Sequence, residues 1–520
     1  MRSAFRYLVP LACGMLTGAS PALSQTESMS ASSAQRGHQV VARAVAAMGG
    51  RAALERLGNV VRELAGVRTD VGQGPHPVRY ERITDRIGAI PPTINRPHIT
   101  SVRDIRQFRA VDHLRDTIYG GQPLNVKTIL RRDTAFSVSF DYIYQSLRTF
   151  PQGAQLLIGA AMFRRYPESL VLNAWRRPEA LRFLGTGQWE GRGHSVIGYA
   201  DSDGAQLTLF FDDASGLLSK VETLGEDGVL GDVTNDIVYD DYRQVAGILF
   251  PFRYIDRVGG VVQQDVRATS LVVDAQLADS VFTHPNFPER KQRPPFPTVT
   301  KLGENVYAIL GDYNSIVAIL RDHVVVLEPG GSPRAASAMI AKIQELAPGM
   351  PIRYVVATHW NYDHLGGVRS YVAEGSTIVG PPSVKTAAEL AVASERPLHP
   401  DTLSALARPL RFEALGSKKR VFTDGTVTLE VYDISPTPHS DEMLIAYLPN
   451  QKVLYVADMF DLNVPGHVGT GGNDTADLAA KVASLGLVVE RIVPVHGQIG
   501  TMADLQQALS RRSRARTGQP

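Results

Sequence analysis

One short segment of this sequence combines residues that could bind a metal ion. Residues 358–367 read THWNYDHLGG, so the side chains of His359, Asp363 and His364 lie within six positions of one another, after an apolar run. Imidazole nitrogen and carboxylate oxygen are ligands for divalent ions such as zinc. The spacing predicts the metal site of a hydrolase, although Asn361 stands where a third histidine is expected.

Three further candidate ligands follow other apolar runs that read as strands. His439, Asp458 and His496 come directly after such a run or one short turn later. If these strands share one polarity, their carboxyl ends converge on one edge, where α/β folds place their ligand sites. The predicted ligands of one shared metal centre are therefore His359, Asp363, His364, His439, Asp458 and His496.

The predicted ligands suit a catalytic ion. Neutral imidazole and carboxylate favour one or two zinc ions, with iron or manganese as alternatives. Such an ion lowers the pKa of a coordinated water to about 7 and stabilises an oxyanion. The expected chemistry is hydrolysis by metal-bound hydroxide.

The residue types, their order and their flanking strands resemble those of the metallo-β-lactamase superfamily. The resemblance covers about residues 298–509 and includes the motif PVHG at residues 494–497. It implies an αββα sandwich. In that family the residues at the positions of His359, Asn361 and His439 hold one metal, those at Asp363, His364 and His496 hold a second, and an acidic residue at the position of Asp458 commonly bridges them.

Asn361 departs from the family pattern, which has histidine at this position. The amide oxygen of asparagine is a poorer zinc ligand than imidazole, so the resemblance implies one weakened metal position and one complete ligand set. We expect one firmly held metal, with an inactive relic of the family as the alternative. Asp363 is expected to have two roles, as a metal ligand and as the catalytic residue that orients the attacking hydroxide.

The elements that carry these residues alternate between strand-like and helix-like runs. This alternation predicts an α/β layered fold in the second part of the chain. The predicted strands are 306–310, 315–320, 324–327, 354–357, 427–434, 444–448, 453–457 and 491–495, and the predicted helices are 333–346 and 476–485. Residues 381–409 predict a helical insertion that could form one wall of the site.

The first part of the chain has a different pattern. Residues 36–58 predict one or two short helices, and residues 193–274 alternate apolar runs with turn motifs, which predicts an antiparallel meander. The more helical stretch 151–184 could lie across that sheet. In its pattern of strand-like runs, turns and helices, the region resembles the half-barrel of periplasmic lipoprotein carriers. This resemblance implies an apolar surface for a lipid-like group. A scaffold that packs against its neighbour is the alternative.

Length and proline content predict the domain organisation. A chain of 520 residues is long enough for two or three domains. Five prolines alternate with basic residues within 284–300, and such a segment cannot lie inside a sheet. We predict a signal peptide over 1–24, a mainly antiparallel β domain with helices over 36–283, a linker over 284–300 and the α/β domain over 301–510.

The N-terminus has the three-part layout of a secretory signal. Arg2 and Arg6 precede the apolar run 7–16, and small residues follow up to Ser24, after which we expect cleavage. The single cysteine, Cys13, lies inside this signal, which fits a disulfide-free mature chain in the periplasm or beyond. A lipoprotein signal at Cys13 is the alternative. No later run has the roughly 18 apolar residues of a membrane-spanning helix.

Composition and charge exclude several classes of function. Hydrophobic residues make up 44% and charged residues 20% of a chain with a net charge of +2. These values are typical of a soluble globular protein and give no electrostatic case for nucleic acid binding. We predict a secreted or periplasmic metal-dependent hydrolase that attacks an ester, lactone, amide or β-lactam carbonyl of a small molecule. The alternative is a carrier of a lipophilic ligand with a degenerate, non-catalytic metal domain.

Other features favour structural roles. His467 is expected in an exposed loop, and the glycine-rich residues 469–473 lack the lysine of a nucleotide-binding loop. The basic residues 511–516 are expected to form a solvated tail. Of Trp360 and Tyr362, at least one is expected to pack under the metal-binding loop rather than line the pocket.

Overall fold

A computed structural model describes most of the chain. The described residues are 28–69, 72–74, 98–107, 113–119, 124–130, 135–140, 145–150, 161–283, 296–415, 418–462 and 468–517. The predicted signal peptide 1–24, most of the predicted linker 284–300 and His467 lie outside these ranges.

The first part of the chain forms one antiparallel sheet with helices against it. Its described strands are β1 (Asn59–Arg68), β2 (His98–Gln107), β3 (His113–Tyr119), β4 (Leu124–Leu130), β5 (Ala135–Phe140), β6 (Gln145–Thr149), β7 (Leu181–Trp189), β8 (Arg192–Ala200), β9 (Gln206–Asp212), β10 (Leu218–Asp227), β11 (Gly231–Val245), β12 (Ile248–Val258) and β13 (Val261–Val273). Its described helices are α1 (Met29–Ala47), α2 (Arg51–Arg56) and α3 (Pro167–Trp175), with 3₁₀ turns at Pro178–Ala180 and Asp279–Phe282.

The sheet order is β6-β5-β4-β3-β2-β1-β13-β12-β11-β10-β9-β8-β7, so the pairing of β1 with β13 joins two meanders. Strand β1 alternates in burial, and Val60, Arg62 and Leu64 lie on its buried face. Helix α1 buries Val41 and Val45 in the same core, as its amphipathic spacing requires. We refer to this region as the N-terminal sheet.

The second part of the chain forms two further sheets. Its described strands are β14 (Thr298–Gly303), β15 (Val306–Leu310), β16 (Ser315–Ile319), β17 (Val324–Leu327), β18 (Ile352–Val356), β19 (Thr377–Gly380), β20 (Arg411–Ala414), β21 (Lys419–Thr423), β22 (Thr428–Asp433), β23 (Leu444–Leu448), β24 (Val453–Val456), β25 (Arg491–Pro494) and β26 (Gly500–Thr501). Its described helices are α4 (Pro333–Leu346), α5 (Tyr362–Leu365), α6 (Val368–Glu374), α7 (Pro382–Ala393), α8 (Thr402–Leu406), α9 (Asn473–Ser484) and α10 (Met502–Thr517).

The two sheets pack face to face with helices on their outer sides. One sheet contains β14 to β20 and the other contains β21 to β26, each in sequence order. The core between them joins Ala318 and Val325 of the first sheet to Val431 and Leu454 of the second. Met339 of helix α4 is buried on the opposite face of the first sheet. The fold is therefore the expected αββα sandwich, preceded by a mainly antiparallel sheet with helices.

The strands and helices predicted in the sandwich are confirmed to within a few residues, since apolar runs of this length can be buried on both sides only as strands of a layered fold. The insertion 381–409 contains the predicted helical structure, as α7 and α8. In the first part, the predicted meander corresponds to β8 to β13, and its turn after β9 is held by Asp212, whose side chain accepts from the backbone N–H of Ser215 at 2.7 Å.

Two local predictions were wrong. Helix α1 is longer than expected and starts at Met29, and residues 181–184 belong to strand β7 rather than to a helical stretch. The basic residues after Arg511 continue helix α10, and the guanidinium groups of Arg511 and Arg512 donate to the carbonyl oxygens of Val468 and Gly472. These contacts involve Arg511 and Arg512 alone, and they do not contradict the solvated tail expected from the charge of residues 511–516.

Within the described ranges, every helix is too short or too polar to cross a bilayer.

Candidate metal centre

The predicted ligands lie at one end of the sandwich. His359 follows β18 of the first sheet, whereas His439, Asp458 and His496 follow β22, β24 and β25 of the second. Strands β24 and β25 are parallel neighbours, so Asp458 and His496 emerge side by side. The ligand loops therefore meet where the ends of two sheets face each other. They do not lie along the edge of a single sheet, as a common strand polarity would have placed them. A backbone hydrogen bond of 2.9 Å from Leu444 N to Thr358 O joins the sheets at this end.

Asp458 lies at the middle of the cluster. Its Oδ2 atom is 2.8 Å from His364 Nε2 and 3.4 Å from the Nε2 atoms of both His359 and His439. Its Oδ1 atom is 3.2 Å from His496 Nε2. One carboxylate thus has four imidazoles around it, although the four histidines come from three separate loops.

Two groups of three side chains could each hold an ion. The potential ligand atoms of His359, His364 and Asp458 lie within 4.8 Å of one another, and so do those of Asp363, His364 and His496. His439 contacts Asp458 but belongs to neither group. All six predicted residues are therefore in one cluster, with His439 at its margin.

Glu328 is a buried carboxylate behind the cluster that the sequence analysis missed. Its Oε1 atom accepts from Thr358 N at 3.0 Å, and its Oε2 atom is 3.6 Å from His364 Nδ1. Both Glu328 and Asp458 have positive φ angles, of 66° and 46°, which cost energy for residues other than glycine and are typical of functional sites. Glu328 directly follows strand β17, which is the signal that identified Asp458, so the sequence could have indicated it.

Tyr313 and Asp312 orient two of the predicted ligands. The Tyr313 hydroxyl donates to Asp363 Oδ2 at 3.1 Å, and its ring meets that of His496 edge-on at 4.7 Å. The Asp312 carbonyl oxygen lies 2.9 Å from His496 Nδ1 and can accept its proton, which leaves Nε2 free to face Asp458. Asn314 ties these loops together, since its side-chain amide donates to the carbonyl of Gly497 at 2.8 Å. No spacing signal distinguishes Tyr313 from other core tyrosines.

Asn361 is paired with a residue of the first part of the chain. Its Nδ2 atom donates to Gln73 Oε1 at 2.8 Å and lies 3.4 Å from His439 Nε2. The Gln73 amide in turn donates to Asp363 Oδ1. The Oδ1 atom of Asn361 is buried and has no hydrogen-bond partner in the part of the chain that the structure describes. Gln73 lies about 290 positions before the metal-binding loop, so no local pattern could have found it.

Residues 309–496 match the family model of the metallo-beta-lactamase superfamily. We refer to the C-terminal sandwich, which contains this match, as the metallo-β-lactamase domain. Solved structures similar to the chain include a metallo-beta-lactamase from Pontibacter korlensis, at 19% identity and a TM-score of 0.32, covering 42% of this chain and 98% of that one. DIM-1 metallo-beta-lactamase matches at 18% identity and a TM-score of 0.32, with 42% and 99% covered. The mono-zinc form of FIM-1 from Pseudomonas aeruginosa matches at 14% identity and a TM-score of 0.31, with 42% and 95% covered.

The aromatic residues of the metallo-β-lactamase loop pack beneath it. Trp360 and Tyr362 are buried with Leu365 in the cluster under the first sheet, which confirms the packing role expected for at least one of them. Gly366 and Gly367 do not provide an unusual backbone turn, because their φ angles are −57° and −93°. They are required by close packing instead, since a Cβ atom on Gly367 would lie 2.1 Å from the Pro329 carbonyl oxygen.

The N-terminal sheet also contacts this loop through the turn between β10 and β11. Val229, at the tip of that turn, is fully buried in the core of the metallo-β-lactamase domain. A Cβ atom on Gly228 would lie 2.5 Å from Gly366 Cα, so the two backbones are in direct contact. Arg396 of the helical insertion donates to Glu226 at 2.8 Å and to the carbonyl oxygens at the same turn. The metal-binding loop is therefore supported by both parts of the chain.

The electrostatics of the cluster reflect its central carboxylate. Burial, together with the charge of His364, lowers the pKa of His359 to about 4. Burial alone would also lower the pKa of His364, but the charge of Asp458 raises it well above its usual value. Burial also acts to lower the pKa values of His439 and His496. The hydrogen bond of each to Asp458 outweighs burial, so both pKa values are raised. The Asp458 carboxylate therefore favours the protonated forms of His364, His439 and His496, whereas burial favours the neutral form of His359.

Proposed function

We propose that the protein is a metal-dependent hydrolase that cleaves an ester, lactone, amide or β-lactam carbonyl in a small molecule. The observation that carries this proposal is the arrangement of four imidazoles around the single carboxylate of Asp458. Imidazoles from three separate loops that converge on one carboxylate form the donor set of a metal site, in which histidine nitrogen and carboxylate oxygen surround one point. Zinc is the ion we propose, with iron or manganese as alternatives.

The donor set fits a divalent ion. His359 Nε2 and both ring nitrogens of His364 are buried, and among the described residues they face carboxylate oxygens of Asp458 and Glu328 rather than well-aligned hydrogen-bond partners. The ion-pair partners of Asp458, Asp363 and Glu328 within the described ranges are histidines alone. A lysine or arginine beside these carboxylates would keep its charge and exclude a metal ion. A histidine can lose its proton and bind the metal together with the carboxylate.

Different residues would hold the two possible metal positions. We propose Asp363, His364, His496 and Asp458 as the firmly binding set, with His359 and His439 as the weaker position beside Asn361. When bound, the ion would lower the pKa of a coordinated water to about 7 and polarise a carbonyl.

Asp363 is the residue we propose as catalytic. Its side chain is 35% exposed, compared with 14% for Asp458 and 0% for His364, so substrate and solvent reach it most easily. Tyr313 and Gln73 each donate to one of its oxygens. These two hydrogen bonds hold the carboxylate in one orientation, in which it can accept a proton from the attacking water and pass it to the leaving group.

The carrier alternative has weaker support. A cavity of about 340 Å³ opens on the N-terminal sheet, but Arg165, Asp256, Arg257 and Asp236 line it. These residues form two ion pairs, at 2.7 Å and 2.6 Å. The cavity also has apolar lining residues, but a lipophilic ligand, which a carrier function requires, would desolvate these charged pairs.

We also propose that the protein is exported. This proposal rests on the sequence alone, since Arg2, Arg6 and the apolar run 7–16 have the layout of a secretory signal. N-terminal sequencing of the protein recovered from a periplasmic fraction tests it. We expect the mature chain to begin after Ser24, and an uncleaved chain found in the cytosol would contradict the proposal.

The decisive experiment measures metal and turnover together. The protein is purified without chelator, its zinc, iron and manganese content per chain is determined, and hydrolysis of chromogenic esters, lactones, amides and β-lactams is measured. We expect at least one metal per chain and turnover that a chelator abolishes. A metal-free protein that gains no activity when zinc, manganese or iron is supplied would sink the hydrolase proposal.

A further inference from the structure

We infer that Gln73 is a positioning residue that turns the N–H donor of Asn361 toward His439 and so keeps the metal centre to one tightly bound ion. The inference rests on the proposed function, because it concerns the number of metals at the same site. It assigns a specific role in that site to the segment 72–74 of the N-terminal region.

The orientation of the Gln73 amide is fixed by Asp363. An ionised carboxylate only accepts hydrogen bonds, so the Gln73 atom that contacts Asp363 Oδ1 must be the nitrogen. The Gln73 oxygen therefore faces the opposite neighbour, Asn361. If the Gln73 amide were reversed, an oxygen would face a carboxylate, which is repulsive.

The orientation of the Asn361 amide follows from that of Gln73. The Gln73 oxygen can only accept, so the Asn361 atom at 2.8 Å from it must be the nitrogen. The same nitrogen lies 3.4 Å from His439 Nε2. The Asn361 oxygen consequently points away and stays buried without a hydrogen-bond partner among the described residues.

This orientation removes a ligand from one end of the cluster. A metal held by His359 and His439 would need the oxygen of Asn361, and that oxygen becomes available only if the amide rotates. Rotation would break the hydrogen bond to Gln73 and bring two oxygens together. A hydrogen bond of typical strength must be lost when the second metal binds. At 1.4 kcal/mol for each factor of ten, this loss weakens the affinity for the second metal by about tenfold.

The segment that carries Gln73 is fitted to the metal-binding loop. The backbone N–H of Tyr362 donates to the Gly72 carbonyl oxygen at 3.0 Å. Gly72 has a φ angle of 75°, and a Cβ atom there would lie 2.2 Å from the Tyr362 ring. Any side chain at position 72 would therefore push the segment away from the loop, so this close approach requires glycine.

The test combines Gln73→Leu with Asn361→His in a two-by-two set of variants. The readout is the number of zinc ions bound per chain, and the dissociation constant of the second equivalent, in direct zinc titrations. In the wild-type background, Gln73→Leu frees the Asn361 amide to rotate, so the second zinc should bind about tenfold more tightly.

In the Asn361→His background, the effect of Gln73→Leu should reverse. One ring nitrogen of the introduced imidazole can donate to the Gln73 oxygen while the other faces the metal, and such outer partners strengthen a histidine ligand by about 10–100-fold. Asn361→His alone should therefore raise second-zinc occupancy, and adding Gln73→Leu should lower it again. A change of sign of this kind is not expected from a general loosening of the structure.

Glu226→Gln is the matched control. It weakens the contact with Arg396, at the other point where the N-terminal sheet supports this loop, and it does not touch the metal centre. We expect its zinc stoichiometry to equal that of the wild type. If Gln73→Leu does not fold, Gln73→Met keeps the unbranched length without the amide and is expected to give the same result.

Each outcome separates this inference from the proposed function. One zinc in the wild type and two in Gln73→Leu support both, whereas one zinc in each overturns only the role of Gln73. Two tightly bound zinc ions in the wild type overturn the role of Gln73 and leave the hydrolase proposal in place. No zinc in either protein overturns the role of Gln73, whereas the hydrolase proposal is overturned only if iron and manganese are also absent and restore no activity. Zinc bound by Gln73→Leu alone contradicts both the single tightly bound ion that we infer for the wild type and a zinc enzyme in the wild type.

Discussion

The core of the N-terminal sheet and the histidine cluster of the metallo-β-lactamase domain balance buried charge in different ways. In the sheet, Arg62 pairs with Glu168 although both side chains are fully buried, and Arg165 pairs with Asp256 at 2.7 Å. In the sandwich, Asp458 is surrounded by imidazoles, and its ion pairs within the described residues include no arginine or lysine. The buried pairs of the N-terminal sheet use permanent cations, whereas the cluster around Asp458 uses cations that can lose their proton.

This difference separates a structural role from a functional one. A guanidinium stays charged at every physiological pH, so the Arg62–Glu168 pair is complete without any ligand. An imidazole can release its proton and donate the same nitrogen to a metal, so the cluster around Asp458 can exchange protons for an ion. The contrast explains why buried ion pairs in the first region do not by themselves indicate a second active site.

The largest expected effect comes from removing the central carboxylate. Asp458→Asn keeps the shape but removes the charge that holds His359, His364, His439 and His496 together. We expect zinc affinity to fall by at least about 100-fold and hydrolysis to be lost, because Asp458 is both a proposed ligand and the charge partner of the histidines. Metal content and turnover of the purified variant measure both effects. A variant that keeps its metal and its turnover would contradict a functional role for the charge of Asp458.

An equivalent change in the N-terminal sheet should act on stability instead. Glu168→Gln leaves the buried Arg62 guanidinium without its counter-charge, which costs about 3 kcal/mol in the free energy of unfolding. Chemical denaturation measures the loss, and zinc stoichiometry should remain that of the wild type. A fall in the number of metals bound would mean that the two regions are not as separate as their charge balance indicates.

The smallest effect concerns pH and distinguishes the two kinds of cation. The pKa of His364 is raised well above its usual value in the metal-free protein, against the effect of burial, by the charge of Asp458. Its contribution to stability is complete below the unfolded pKa of about 6.5 and is lost as the pH rises through the folded pKa.

We therefore expect the metal-free protein to become less stable between pH 6.5 and alkaline pH, while zinc affinity rises over the same range by about tenfold per unit for each proton displaced. Thermal unfolding of the metal-free protein and zinc titrations at several pH values measure the two trends. A zinc affinity that does not change with pH would contradict imidazolium charge in the empty cluster.

Much of the sandwich could be predicted from the sequence because its signals are local. Runs such as 324–327 and 444–448 are apolar throughout, and in the structure they are strands with the same bounds. The loop 358–367 combines its ligands within one segment, so its chemistry did not depend on knowing the fold. The first strands of the N-terminal sheet were not predicted individually, since their alternation is interrupted by charged residues such as Arg62 and Arg106, which are buried through ion pairs.

The sequence by itself determined the layered fold of the second region, the six candidate ligands and the departure at Asn361. Only the tertiary structure decided that these ligands meet between two sheets, that Glu328 and Tyr313 stand behind them, and that Gln73 controls the amide of Asn361. The physical reason is that residue types and strand periodicity depend only on residues that are close together in the sequence. The direction of a hydrogen bond across about 290 positions exists only once the two regions have packed together.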